Sequence, residues 1–486
     1  MEKLEVRRKK GIYIRDSARV ITRLYMPGNY NRVNRLLEQI LNMPEEEVSE
    51  VLDYVVKHYS KRHRDIFNAF EKNFLKVKAF MPGDVKISDQ KRALIGAYFT
   101  MEYSIESAGL FNPSIVLHPN QDHLAEGSIR FVMSFRAVGE GHISSIEFRS
   151  GKIDKDNKIL LDPVSRFVDT PEVQLNPVYL KRLFELKLNE MGACNEITAY
   201  LFERLPEKFT YEQGKKELQK ILNSNMFPWD LLRKTVERIL WVARSNYEIK
   251  FRPDRRISER VIFPVSENES MGLEDARFTR FIDDDGTVTY YATYTAYNGR
   301  DILPQMIETK DFVTFRILTL NGKAVQNKGM ALFPRRINGK FVMVSRQDGV
   351  NNHIMFSDNL HFWQESKVIQ EPSESWELVQ IGNCGPPLET ERGWLLLTHG
   401  VGPMRQYSIS AILLDLDNPA KIIGRLPYPL LTPTEEERDG YVPNVVYSCG
   451  AIIHNGELII PYGMSDIRSG FASVPLDKLL YAMQTP

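Results

Sequence analysis

Apolar positions along the first eighty residues keep helical spacing. Within 30–42, Val33, Leu36, Leu37, Ile40 and Leu41 fall on one face. Pro44 and the three glutamates after it suit a helix start, where a missing N–H costs nothing and negative charge meets the dipole. A third helix is predicted over roughly 64–79, with Ile66, Phe67, Phe70, Phe74 and Val77 as its apolar stripe. Near residue 92 the spacing changes. ALIGAYFTMEYSIESAG, GSIRFVMSFRAVGEG and HISSIEFRSG read as short strands between turn residues. Helical spacing returns at about 177–245, and from about 259 onward the pattern is nearly all strands and turns.

Five apolar runs share one form, a strand that ends in a polar residue and a loop: FVMSFR from 131, YYATYT from 290, FVMVSR from 341, WLLLTH from 394 and ELIIPY from 457. The last four recur at roughly 50–60 residues, the spacing of a repeated sheet unit that needs neighbours to bury its faces. The longer first interval accommodates one such unit plus the helical stretch. The predicted fold is therefore mainly β: a five-bladed β-propeller over 92–486, an N-terminal helical region over 1–91, and a helical insertion at about 177–245. A large β-sandwich is the competing reading. In a propeller the run ends Arg136, Thr295, Arg346, His399 and Tyr462 would converge on one concavity.

Composition narrows the function. Lys+Arg and Asp+Glu are equal at 63 each, which removes any global drive toward nucleic acid or an anionic membrane. Cys194, Cys384 and Cys449 form no C-x-x-C pair, so neither a disulfide framework nor a zinc ribbon is expected, and a cytoplasmic setting is. The start MEKLEVRRKKG lacks an apolar signal core, and no run approaches a membrane span. The nine histidines show no metal-ligand spacing, and no P-loop, G-x-G-x-x-G helix start or H-E-x-x-H occurs. No metal or cofactor is expected.

Chemistry concentrates at Gly272-Leu273-Glu274-Asp275-Ala276-Arg277, two carboxylates and a guanidinium beside the second repeated run. With YYATYTAYNG, ALFPRRINGKFVMVSR, GNCGPPLETERGWLLLTHGVG, ILLDLDNP and YVPNVVYSCGAI following in order, the chain resembles glycoside hydrolase family 130 over about 92–475, apart from the helical stretch. The resemblance implies a five-bladed propeller acting on β-mannosides, either as an inverting phosphorylase releasing α-mannose 1-phosphate or as a hydrolase. Ala276 departs from the proline common at that place, which alters loop stiffness rather than chemistry.

The resemblance makes Asp275 the general acid, its proton passing through the mannose 3-hydroxyl. It places Arg136, Glu274, Arg277, Tyr441, Asn444 and Asp466 with the sugar, and Glu274 alternatively forms a local salt bridge with Arg277. For phosphate it points to Lys328, with Arg346 and His399 at strand ends and Arg405 and Tyr407 in support, since a dianion needs several fixed donors. A phosphorylase needs one carboxylic acid and uses inorganic phosphate as co-substrate. A hydrolase needs a base as well, for which Asp348 is the candidate. Cys384 reads as a small buried residue. The expected partner is a mannose-containing oligosaccharide, with a homo-oligomer through the helical regions left open. A catalytically silent sugar-binding propeller is the reading from another class.

Overall fold

A computed structural model describes residues 4–483 apart from 82, 84, 176, 177 and 225. The start of the predicted helical stretch at 177 and the chain ends at 1–3 and 484–486 lie outside the described residues. Strands dominate and fall into five antiparallel groups. The first comprises Gly109–Leu117, Ile129–Val138 and Ser144–Ile153. The second runs through Gly272–Ile282, Val288–Tyr297, Ile302–Thr309 and Thr314–Thr319. The third is Lys328–Leu332, Phe341–Arg346, Asn352–Ser357 and Lys367–Gln370, and the fourth is Gln380–Asn383, Gly393–Val401, Tyr407–Leu414 and Ile422–Arg425. The fifth contains Val446–Tyr447, Glu457–Met464 and Arg468–Pro475. Each repeated apolar run is the second strand of its group, buried on both faces and so nearly continuous in apolar residues.

A parallel bridge between Gly272 and Ser144 joins the first two groups into one eleven-stranded sheet. The contact depends on glycine. Gly272 has φ +132°, and a Cβ there would lie 2.1 Å from Ser144 Oγ.

Two features differ from the sequence expectation. The 1–91 region is not purely helical: Arg7–Ile14 is a strand paired with Arg468–Pro475, closing the fifth group with the chain's own N-terminal segment. Its charged sequence gave no strand signal because backbone pairing, not an apolar stripe, holds it. The predicted strand pattern from residue 92 also begins too early. Ser88 accepts a hydrogen bond from the Lys91 N–H and starts a helix, Asp89–Tyr98, whose Leu94 and Ile95 pack with Val33, Leu37, Phe74 and Val77. Helices Tyr30–Leu41, Glu45–Tyr59 and Ile66–Val77 form as expected.

Helices Lys181–Glu190, Glu196–Glu203, Tyr211–Asn223 and Trp229–Arg244 share their own apolar cluster, including Phe184, Leu201, Phe202 and Ile239. The chain enters this unit from strand Glu172–Leu175 and leaves into Tyr247–Lys250. These two strands pair with each other, and the second pairs with Thr314–Thr319, so both extend the second group.

Candidate active site

Asp275 lies inside a strand, not in a turn before one. Between Glu274 and Arg277 the register of Gly272–Ile282 slips against its partner, and Asp275 takes φ +55°. This is a bulge, which re-aims a side chain out of the ladder. The first strand of the first group breaks register between Phe111 and Ser114, with Asn112 at φ +50°, and that of the third breaks between Lys328 and Ala331, with Gly329 at φ +82°. The backbone irregularities of three sheet groups therefore meet at one place.

Asn112 Nδ2 donates to Asp275 Oδ1 at 2.7 Å, and Arg136 Nη1 stands 4.0 Å from the same oxygen. Glu274 accepts from Arg136 Nη2 at 2.8 Å and from Lys328 Nζ at 2.5 Å. Glu274 thus does not form the local salt bridge with Arg277. Arg277 has other partners: it is 3% exposed and donates to Asn383 Oδ1 at 2.5 Å and to the Tyr447 hydroxyl at 2.6 Å. Burial opposes ionisation of Asp275, but Arg136, Arg277, the Asn112 amide and Lys328 outweigh it and hold the carboxyl below its usual range.

Lys328 and Arg346 are direct partners across the ladder, two cations face to face. Lys328 has Glu274. Arg346 has no carboxylate within ion-pair distance among the described residues, and its buried Nε has no hydrogen-bond partner. Its Nη1 lies 3.2 Å from His399 Nε2, while His399 Nδ1 lies 3.2 Å from the Asn383 carbonyl oxygen. That carbonyl can only accept, so Nδ1 carries the proton and Nε2 accepts from Arg346. Burial, then Arg346 and Arg277, push the His399 pKa well below its usual value, so the ring is neutral. His399 therefore orients Arg346 and is not itself a cation for phosphate, as its strand-end position suggested.

Asp466, at φ +55°, has a carboxyl with no hydrogen bond among the described residues. Burial pushes it up to about 6, against the pull of Arg136 and with the help of neighbouring Asp275. Arg405 is exposed, yet close enough to favour the charged form of Asp466. The Tyr407 hydroxyl accepts from Gln380 Nε2 at 3.2 Å, and its ring stacks on His399 at 5.8 Å. Tyr441 is 58% exposed and stacks on His142 at 4.9 Å. Asn444, at φ +63°, borders a cavity of about 450 Å³ shared with Trp376, Met404, Gln406 and Arg438.

Two expectations place residues elsewhere. The Tyr462 hydroxyl bonds Glu437 at 2.6 Å, beside Arg8, and does not join the Asp275 cluster. Asp348 accepts from the N–H groups of Val350 and Asn351, from Asn351 Nδ2 at 2.7 Å, and pairs with His353 at 3.0 Å. Burial works against its charge, but these contacts hold its pKa far below normal, so it builds its own turn. Sequence reading missed Asn112, Asn383 and Tyr447. Asn383 links both halves of the site, since its Nδ2 also donates to the Gly329 carbonyl at 2.5 Å. An amide side chain inside the mostly apolar GLFNPSIVL was the available signal for Asn112.

The family model for glycoside hydrolase family 130, described as beta-1,4-mannooligosaccharide phosphorylase, matches residues 234–485, more than half of the chain. The chain belongs to glycoside hydrolase family 130. A beta-1,2-mannobiose phosphorylase of Thermoanaerobacter sp. (strain X514) is 37% identical over 283 residues, 56% of this chain and 89% of that protein. A beta-1,4-mannooligosaccharide phosphorylase of Ruminococcus albus is 32% identical over 241 residues, 47% of this chain and 70% of that protein. Among solved structures, the beta-1,2-mannobiose phosphorylase of Listeria innocua in complex with beta-1,2-mannobiose is 21% identical with a TM-score of 0.46, covering 77% of this chain and 92% of that one.

Proposed function

We propose that this family 130 enzyme is an inverting β-mannoside phosphorylase that releases α-mannose 1-phosphate. The observation that carries the reading is the pair Lys328 and Arg346, opposed across one ladder, with no carboxylate within ion-pair distance of Arg346 among the described residues. Like charges facing each other cost stability unless an anion joins them. Inorganic phosphate supplies it, with Arg405 and Tyr407 in support and His399 holding Arg346 in place.

In the reaction, a phosphate oxygen attacks C1 of the mannosyl unit. The C1–O bond to the aglycone breaks on the opposite face, and Asp275 provides the proton for the leaving oxygen by way of the mannose 3-hydroxyl. In the free enzyme the surrounding cations keep Asp275 ionised. A phosphate dianion between Lys328 and Arg346 cancels part of that field and raises the Asp275 pKa toward protonation. Arg136, Glu274, Asp466 and Asn444 hold the sugar, with Tyr441 at the rim and Arg277 stiffening the floor. The cavity beside Asn444 gives room for the aglycone.

The hydrolase reading loses support at its base. Asp348 is committed to its own turn. Asp466, an open carboxyl nearby, is drawn toward its charged form by the same Arg136 that serves Asp275. The relatives named above act on different linkages, so linkage is not assigned. The five strand groups support a five-bladed propeller over 92–486, with its site where the first strands bulge, and with 1–91 and 177–245 as additions. Among the described residues no helix is long and apolar enough to cross a membrane.

The test is to incubate β-mannobioses of different linkage with and without phosphate, measuring mannose and mannose 1-phosphate. Phosphate-dependent mannose 1-phosphate from at least one linkage is expected. Equal mannose release in phosphate-free buffer, with no mannose 1-phosphate, would hand the case to hydrolysis.

A further inference from the structure

A second polar cleft, about 250 Å³ in volume, lies between the start of helix Ile66–Val77 and the strands Glu172–Leu175 and Tyr247–Lys250. Strand Tyr247–Lys250 is separated from the strand of Asp275 by three intervening strands of the same sheet. At about 4.8 Å per step that is roughly 19 Å, so the cleft is not an extension of the site above.

Its walls hold charges that do not close on one another. Arg64 is neutralised by Glu259 at 2.6 Å and lies over the Phe167 ring. Arg252 and Arg255 share the single carboxylate of Asp254, at 3.4 and 3.3 Å. Lys72 and Lys250 line the cleft and make no ion pair or hydrogen bond among the described residues, although Lys250 stands opposite Glu172 in the ladder; Glu172 and Asp65 line the cleft too, and Asp65 accepts from the Asn68 N–H. Arg255 keeps a buried Nε without a partner, although its side chain is only 16% exposed. Across from these donors, the Asp169 carboxyl is partly buried and accepts no hydrogen bond among the described residues. A seam that merely packed would bring Lys72, Lys250 or Arg255 onto Asp169, because an unpaired, partly buried charge is costly. Here Arg255, Arg252 and Lys72 are near enough to favour the charged form of Asp169, yet none forms an ion pair with it among the described residues.

We infer that this cleft binds a sugar monophosphate: Lys72, Lys250 and Arg255 take the phosphate, and Asp169 accepts from sugar hydroxyls. Phosphate is the group best matched by several convergent ammonium and guanidinium donors. Three carboxylates in the same cleft, Asp65, Asp169 and Glu172, disfavour a bare anion and favour one that also carries hydroxyl donors. The volume, near the lower end for ligand pockets, suits one sugar-sized molecule. The inference does not depend on the reaction at Asp275.

Calorimetric titration of the full chain with mannose 6-phosphate, and separately with inorganic phosphate, tests it. The wild type and the Asp275→Asn variant should bind mannose 6-phosphate alike. The Lys72→Glu/Lys250→Glu variant should bind it at least tenfold more weakly, since each charge-assisted contact is worth about that factor. Its turnover in the absence of the sugar phosphate should be unchanged. Asp169→Asn should weaken mannose 6-phosphate but not inorganic phosphate. Both lysines are exposed, and Lys250→Ala alone serves if the double variant does not fold. Equal affinity in wild type and lysine variant, no binding by the wild type at millimolar ligand, or equal affinity of the wild type for inorganic phosphate and mannose 6-phosphate would each overturn the proposal.

Discussion

Two charge clusters in this molecule use the same residue types to opposite ends. Beside the first sheet group, Arg19 donates to Glu106, Glu147 and the Ser258 carbonyl, and Arg149 donates to Glu106 at 2.5 Å and Glu147 at 3.3 Å. Two cations meet two carboxylates, and all four side chains are sealed from water. Three of their atoms, Arg19 Nε, Arg149 Nε and Glu147 Oε1, lack partners, yet nothing from outside can reach them. Around Asp275 the balance and the access differ. Arg136, Arg277, Lys328 and Arg346 outnumber Glu274, Asp275 and Asp466, and the side chains of Arg136, Asp275 and Lys328 are 20%, 18% and 31% exposed. A balanced, closed cluster locks chain segments together; here it ties the segment before Val20–Leu24 to the first sheet. A cation-rich, open one stores an unmet demand that only a ligand fills.

The sharpest way to break that contrast is at Asp275, the proposed acid. Asp275→Asn preserves shape and the reach of Asn112 but cannot supply a proton, so kcat on an unactivated β-mannoside should fall on the order of 10²–10⁴-fold. The melting temperature should hardly move. Near-normal turnover by the folded variant would remove Asp275 from the role.

The closed cluster should answer the other way. Arg19→Ala leaves two buried carboxylates with Arg149 as their one cation, and breaking a buried pair costs on the order of 3–5 kcal/mol. Urea unfolding should show that loss, while activity per folded molecule stays near wild type. A variant with wild-type stability but reduced turnover would reverse the assignment of the two clusters.

Between these extremes lies Lys328. Lys328→Ala removes a charge-assisted contact worth roughly 1.5–3 kcal/mol, so the apparent phosphate affinity should drop about ten- to hundredfold. Mannoside affinity should change much less. Initial rates at varied phosphate and fixed mannoside separate the two, and an equal change in both constants would make Lys328 a sugar contact instead.

The two clusters also differ in how far they could be read from sequence. The five second strands were legible because apolar runs with a polar end repeat at a regular distance. The first strands, which carry the candidate site, were not, since bulges at Asn112, Asp275 and Gly329 interrupt the alternation that marks a strand. Asp275 and Lys328 were singled out through the family resemblance and Arg346 as the end of a repeated run. Asn112 and Asn383 were missed because their partners, Asp275 and Arg277, lie more than 100 residues away and are fixed only by sheet packing. The closed cluster was missed for the same reason: Arg19 and Glu147 meet across 128 residues, and neither sits in a motif. Strand Arg7–Ile14 left no trace in its side-chain pattern, because its place comes from a backbone ladder.

The smallest expected effect concerns Asp466, and it tests whether the open cluster is held ready at a cost. Burial raises this carboxyl from the ordinary 3.8 to about 6 in the folded protein. The folded state therefore keeps a proton that the unfolded chain has lost between those values. In that window the unfolded state binds fewer protons, so stability must fall as pH rises from about 4 to about 6 through this group. Above 6 the full cost is present, on the order of 1–2 kcal/mol after allowing for its mutual coupling with Asp275. Asp466→Asn removes the titration. Its urea-unfolding stability, compared with wild type at pH 4.5 and pH 7, should show a gain at pH 7 that shrinks toward pH 4.5, whereas binding of the mannosyl unit weakens because a charged acceptor is lost. A wild-type pH profile identical to that of Asp466→Asn would mean that Arg136 and Arg405 already compensate the carboxylate fully, and that the open cluster is as settled as the closed one.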